Sequence, residues 1–263
     1  MFVPKSNLLI DIGNTRVKYT WCDHTGDLSE VFVLSDWDQM KALLKQSTSV
    51  TVASVNNEDS TLRIAKLAEK LAVPHQEIKT SATYLGITCP YHNPHKLGVD
   101  RWLCALAIAI QQRRETTCQA VAVIDFGTAA NCEFIVAGNY IGGWIAPGFE
   151  LMRSALVAGT TKVSADNHYP ESIAIGSDTQ ACVNAGCLAM ISGMVRSAHY
   201  QLERQDNLNS SDTEIIVTGG TVDALQPLFR AENLTVRFVP DLIFQGLRLF
   251  LTHLNAYSGS PSG

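Results

Sequence analysis

Residues 8–13 read LLIDIG, an apolar run that ends on an acid and a glycine. At 17–21, Val17, Tyr19 and Trp21 alternate with Lys18 and Thr20. Both patterns predict strands, joined by a turn at Gly13-Asn14-Thr15. A second hairpin turn, at 23–27, leads to a third strand at 31–34. Residues 37–45 then predict a helix, 50–55 a strand, and 58–72 a helix with Leu62, Ala65, Ala68 and Leu71 near one face. This β-β-β-α-β-α order differs from a doubly wound nucleotide domain, which starts β-α-β.

After a loop at 83–98 and a helix at about 101–113, the opening pattern returns. Residues 121–127 predict a strand ending IDFG, followed by a turn at Thr128-Ala129 and a strand at 131–136. Gly138-Asn139 makes a good hairpin turn before a third strand at Tyr140-Ile141. A helix is expected at 149–158. The helix from 179 to about 204 is the longest, with Ala181, Ala185, Gly186, Ala189 and Gly193 small enough for close approach of another helix. A strand at 214–217 meets Thr218-Gly219-Gly220; then come a helix to 229, a strand at 236–239 and a helix at 242–254. LLIDIGNT and AVIDFGTA are two copies of one device, so a duplicated α/β domain is expected: 1–117, 118–257, and a disordered tail at 258–263.

Composition narrows the setting. The formal net charge is −5 with no basic stripe, which argues against a nucleic-acid partner. The start lacks a signal peptide's apolar run, and the most apolar stretch, 102–110, is too short to span a bilayer. Seven cysteines show no CxxC pair and sit mostly in apolar segments, as reduced thiols do. A cytoplasmic protein without a membrane partner is expected.

Asp11 and Asp125 end equivalent strands beside glycine turns. There a carboxylate can hold a hydrated cation while backbone N–H groups hold phosphate oxygens. Asn14, Thr15, Lys18 and Thr128 add donors around the turns, and Gly13 keeps a side chain out of the way. The alternative is an ordinary hairpin whose acid stabilises a turn; two copies at corresponding points favour the first reading. No GxxxxGK[ST] or GxGxxG is present. Gly219-Gly220, between a strand and a helix, has the shape for backbone contact with nucleotide. Gly142–Gly148 (GGWIAPG) reads as a flexible apolar loop that can line a pocket or take an anion, or as a tight strand-to-helix connection. Asp100 either caps the helix that follows it or accepts a hydroxyl proton during phosphoryl transfer. Arg101 offers a planar donor fork for a carboxylate or phosphoryl group.

DIGNTRVK (11–18), the 91–101 segment ending LGVDR, DFGTA (125–129), GGWIAPG and the TGG at 218–220 together resemble the type III pantothenate kinase family. GSDTQACVNAG (176–186) and PDLIFQGL (240–247) extend the likeness over nearly the whole chain. The resemblance implies duplicated ribonuclease H-like (actin-like ATPase) domains, with mixed sheets, flanking helices and an active-site cleft between domains. It implies a homodimer that phosphorylates pantothenate with ATP, Mg²⁺ and a monovalent cation (K⁺ or NH₄⁺), with weak feedback from coenzyme A. By motif, Asp100 is the base and Asp11 orients metal-bound water near the phosphates. Gly13, Asn14, Thr15, Lys18, Thr128, Gly219 and Gly220 contact ATP, and Asp125 serves the monovalent cation. Tyr91, Gly98, Arg101 and Thr179 hold pantothenate, Thr179 from the same or the partner subunit. The alternatives are a superfamily kinase or phosphatase with another small substrate, or a non-catalytic ATP-binding regulator. One departure stands out: the family pattern after DxGTA continues with Thr and Asp where this chain has Asn131 and Glu133, so altered cation selectivity is expected.

Overall fold

The computed structural model describes residues 6–55, 58–115, 118–160, 168–205, 208 and 210–257. The expected tail at 258–263 and the expected boundary at residue 117 lie outside the described residues. The chain divides into two compact units, Met1–Ala107 with Asp241–Gly263, and Ile108–Pro240.

The first unit is built on strands β1 (Asn7–Ile12), β2 (Val17–Cys22), β3 (Phe32–Val33), β4 (Ser49–Ser54) and β5 (His75–Ile78), in the order β3-β2-β1-β4-β5. β1 pairs antiparallel with β2 and parallel with β4, which makes it central. Being central, it is buried on both faces, and this is why it reads as a continuous apolar run. Leu8, Ile10 and Ile12 pack with Met40 and Leu44 of α1 (Trp37–Gln46) and with Ile64 and Ala68 of α2 (Glu58–Lys70). Leu9, on the other face, packs with Leu103 of α3 (Val99–Arg114). Asp36 caps α1, its side chain accepting from the Gln39 N–H at 2.8 Å.

Two expectations change here. Part of the expected loop at 83–98 is a small hairpin of β6 (Thr83–Tyr84) and β7 (Ile87–Thr88), turning through Leu85 and Gly86 at positive φ. The division into units also differs from the expected contiguous one. The last helix, α7 (Leu242–Tyr257), belongs to the first unit because Phe244, Leu247 and Leu251 pack with Leu9, Ala53 and Leu103. Gly246 lies so close to the Leu103 carbonyl that a side chain there would collide with it. Tyr84 stacks on Phe250 at 4.0 Å and donates its hydroxyl to the Leu249 carbonyl.

The second unit repeats the topology. Its strands are β8 (Ala120–Phe126), β9 (Ala129–Val136), β10 (Asn139–Pro147), β11 (Thr213–Thr218) and β12 (Arg237–Phe238), in the order β10-β9-β8-β11-β12. Ala122, Ile124 and Phe126 of β8 pack against α4 (Phe149–Gly159), α5 (Thr179–Glu203) and α6 (Val222–Ala231) through Met152, Leu188, Ile191 and Leu225. α5 is long and apolar enough to cross a membrane by length and composition alone, yet Leu188, Ile191, Val195 and Leu202 are core residues of this unit. The β9–β10 turn centres on Ala137-Gly138 rather than Gly138-Asn139, with Val136 opposite Asn139. Both central residues have positive φ, as a two-residue hairpin turn of right-handed twist requires. Gly142–Pro147 is not a flexible loop: it continues β10, paired to β9 as far as Ala129 after an irregularity between Tyr140 and Gly142. Gly143 permits that pairing, since a side chain there would meet the Cys132 carbonyl and the Glu133 carboxylate.

Candidate functional site

In the second unit the DFGT turn is gripped from two sides. Asp125 ends β8 opposite Asn131 on β9 and Thr218 on β11. Gly219 follows with φ +107°, and a Cβ there would strike the Asp125 carboxylate and the Phe126 carbonyl. Thr221 then donates both its N–H (3.1 Å) and its hydroxyl (2.6 Å) to that carbonyl. From the other side, the Gly148 N–H donates to the Thr128 carbonyl at 2.9 Å, which seats the N-terminus of α4 on the turn. Asp125, Thr128, Gly219 and Gly220 are thus brought together, with the Thr128 side chain exposed.

In the corresponding turn of the first unit, the Val55 N–H donates to the Ile12 carbonyl at 3.1 Å. Asp11 stands opposite Lys18, and the Gly13 N–H donates to the Arg16 carbonyl at 3.1 Å. Asn14, Thr15 and Arg16 are exposed. This leaves an open turn flanked by one acid and one cation.

The third group lies at the start of α3. Asp100 is half-buried in the first helical turn and accepts from the Arg101 N–H at 2.8 Å. Burial pushes its carboxyl above the usual carboxylate range; the Arg101 N–H and guanidinium oppose that shift. Gly98 leaves room for the Asp100 carboxylate, which a side chain at that point would displace. Arg101 is only 6% exposed, and its Nη1 donates to the Tyr91 hydroxyl at 2.9 Å. Tyr91, Gly98, Asp100 and Arg101 therefore form one cluster at the start of α3. Thr179 stands apart from that cluster in the chain's division, exposed as the first residue of α5 after the cap Asp178.

Two further charged groups are buried: Glu133, one of the departures from the family pattern, and Arg153, which sequence reasoning passed over. Glu133 is 2% exposed and accepts a short hydrogen bond from the Tyr140 hydroxyl. By register it shares a sheet face with Asp125 and Asn131. Arg153 is also 2% exposed, among Phe149, Tyr169, Glu150 and Asn184. Its spacing was the available signal: Arg153 follows core residue Phe149 by four positions, on the same helical face.

Oxygen is the donor chemistry around Asp11 and Asp125, which suits hard cations. No group of three or more His, Cys, Asp or Glu converges among the described residues. A divalent ion would therefore depend on phosphate oxygens and water beside one or two protein carboxylates, which is how Mg²⁺ is commonly held.

Two sheets of one strand order, each with an acid-and-glycine turn after its first strand, define a duplicated ribonuclease H-like ATPase fold. A Campylobacter jejuni structure described as a Baf family transcriptional activator shares that fold, with a TM-score of 0.59 at 18% identity over 95% of this chain and 99% of the other. Residues 7–201 match the family described as Type III pantothenate kinase, and the chain belongs to that family. A type III pantothenate kinase from Pseudoalteromonas atlantica is 33% identical over 81% of this chain and 85% of its own. One from Pseudomonas putida is 33% identical over 92% and 97%.

Proposed function

We propose that this chain transfers the γ-phosphoryl group of ATP to the primary hydroxyl of pantothenate, giving 4′-phosphopantothenate and ADP at the start of coenzyme A synthesis. The observation that carries the mechanism is the Asp100 cluster. A half-buried carboxyl with a raised pKa lies beside a nearly buried guanidinium within one short segment. Asp100 takes the hydroxyl proton as the new O–P bond forms and the bond to the ADP oxygen breaks. A loose, metaphosphate-like transition state needs orientation and late proton removal more than a strong base. Arg101, with Tyr91 and Gly98, holds the pantothenate end, and Thr179 contributes a hydroxyl to the same substrate. Gly13, Asn14, Thr15, Lys18, Thr128, Gly219 and Gly220 hold the nucleotide. Asp11 would orient water on Mg²⁺ and Asp125 would serve a monovalent cation; both ions would neutralise charge developing on the phosphates.

A homodimer is part of the proposal. Gly186 and Gly193 of α5 have nothing within 4 Å of where a Cβ would stand among the described residues, so this part of the small-residue face has room for a partner helix. Ile141, Trp144 and Ile145 of β10 and Met190 of α5 add exposed apolar surface to the same unit. The reading places the protein in the cytoplasm with no nucleic-acid or membrane partner. The deciding experiment is an ATP-dependent assay over a panel of hydroxy acids with product masses recorded. Phosphopantothenate as the dominant product is expected; turnover of another acid with pantothenate inert would sink the proposal.

A further inference from the structure

We infer that Arg153 is a positioning residue whose guanidinium fixes the N-terminal turns of α5, and with them Thr179. The inference rests on the reading of Thr179 as a pantothenate contact. Thr179 is exposed, and the residues after it are at most half-buried until Asn184, the first fully buried side chain of the helix. At that point Arg153 reaches α5, its Nη1 donating to Asn184 Oδ1 at 3.3 Å. The same Nη1 donates to the His168 carbonyl at 2.7 Å, and Nη2 pairs with Glu150 at 2.6 Å. Phe149 and Tyr169 flank the guanidinium at 4.4 and 5.4 Å. Burial and a hydrogen bond to Glu150 push the Tyr169 phenol well above its ordinary range, so it stays a donor that holds Glu150 toward the arginine.

A charge this deeply buried is tolerated only when such partners surround it. They come from three segments at once: α4, the 168–169 backbone and α5. Lys has one point charge and cannot span these directions as a planar fork does. α4 is itself anchored at its other end, where Gly148 donates to Thr128, and that anchor does not involve Arg153. Removing the guanidinium should therefore release α5 while leaving the nucleotide turn in place. Asn184 lies five residues, about 7.5 Å along the helix axis, from Thr179, so a small tilt there displaces the Thr179 hydroxyl.

The test compares Arg153→Met, Arg153→Lys and Thr179→Val in the full chain, measuring pantothenate KM, kcat and the Kd of a fluorescent ATP analogue without pantothenate. Arg153→Met should raise pantothenate KM about 10-fold with analogue Kd within about 2-fold, because positioning is lost but the phosphate turn is not. Arg153→Lys should fall between it and the parent. Asn184→Leu should reproduce the shift, and the Arg153→Met/Asn184→Leu double variant should add little, as expected for residues acting through one contact. If Arg153→Met does not fold, Asn184→Leu carries the same test. Unchanged pantothenate KM in a folded Arg153→Met or Asn184→Leu protein would overturn the inference. A parallel loss of nucleotide affinity would overturn it as well, by making the residue merely structural. A pantothenate KM unmoved by Thr179→Val but raised by Arg153→Met would instead overturn the Thr179 reading alone.

Discussion

The two units share a strand order and differ in how firmly they hold the turn after the first strand. In the first, the Gly13 to Arg16 bond and a bond from the Val55 N–H to the Ile12 carbonyl (both 3.1 Å) hold a turn in which Asn14, Thr15 and Arg16 are exposed. In the second, the turn's own Gly127 to Ala129 bond (3.0 Å) is joined by bonds from Gly148 and Thr221. The connection after the third strand differs in the same direction. The first unit uses one helix of 10 residues, whereas the second uses helices of 11 and 25. Duplication therefore kept the sheet and redistributed the work. The second turn has additional bonds from the Gly148 N–H and the Thr221 hydroxyl, and the first unit carries the acid-bearing start of α3. Exposed segments are where local opening costs least, so the exposed residues 14–16 of the first turn are expected to yield more readily than the second turn.

The largest effect should come from that acid. Asp100→Asn keeps the shape and a side-chain acceptor for the helix terminus but cannot take up the hydroxyl proton. Turnover should fall roughly 10²-fold or more, the usual range for a positioned base, in a protein that still binds nucleotide. Near-normal turnover would reduce Asp100 to a cap. Its raised pKa also has a pH signature. The folded carboxyl holds its proton to higher pH than the unfolded one, so its contribution to stability is present at low pH. That contribution is lost as pH rises from about 3.9, the unfolded value, through the folded pKa. Over that window the parent should lose stability relative to Asp100→Asn, and denaturant midpoints at several pH values measure it. The acid limb of parent kcat should lie above the ordinary carboxylate range for the same reason.

Next in size is a direct contest between the turns. Gly219→Ala forces a side chain into a φ of +107° and against Asp125, whereas Gly13 needs no such φ and a Cβ there stands 3.4 Å from the Arg16 carbonyl. Gly219→Ala should cost about 2–4 kcal/mol, from backbone strain plus overpacking. Gly13→Ala should cost less than about 1 kcal/mol. Equal midpoints in urea would mean the braced turn is no more constrained than the open one. A smaller change is expected from Ala185→Leu, half-buried on the small-residue side of α5. It should weaken the dimer and lower activity together, with sedimentation reporting the shift; an unaltered dimer would remove α5 from the interface.

What the chain's pattern reveals about this architecture follows the range of each interaction. β1 and β8 are legible because burial on both faces leaves an unbroken apolar run, and the 91–101 cluster is legible because its members are neighbours in sequence. Gly142–Pro147 was misread because glycine and proline suppress the alternation of a strand, while its pairing depends on how closely β9 can approach Gly143. The partner of α7 could not be read at all: its apolar face announces burial, and only tertiary contact specifies Leu9, Ala53 and Leu103. Arg153 was passed over for a related reason, since charge normally marks a surface position and its partners lie up to 31 residues away.

The smallest effect should be at the departure on β9. Asn131 and Glu133 stand where the family pattern has Thr and Asp, and their charge and length suggested a reshaped cation site beside Asp125. The structure gives Glu133 a partner on the neighbouring strand. Glu133 is drawn into a buried hydrogen bond with Tyr140, and its pairing partner on β8 is Val123, two residues short of Asp125. The extra methylene is used to reach Tyr140 on the neighbouring strand, so only Asn131 directly faces the acid. K⁺ and NH₄⁺, similar in size and loosely coordinated, should both activate, and Na⁺ should serve poorly because it needs closer oxygens. The measurement is pantothenate phosphorylation with each ion added singly at constant ionic strength. The double change Asn131→Thr and Glu133→Asp should leave the K⁺ to Na⁺ activity ratio within about 2-fold, since a cation's preference follows the oxygens that touch it. The same change should lower stability, because a shorter carboxylate gives up its buried hydrogen bond from the Tyr140 hydroxyl, at about 1–3 kcal/mol. A large swing in ion preference with stability unchanged would place Glu133 at the cation after all. Full activity without any monovalent ion would remove the cation from Asp125, leaving that carboxylate to brace the turn in the second unit alone.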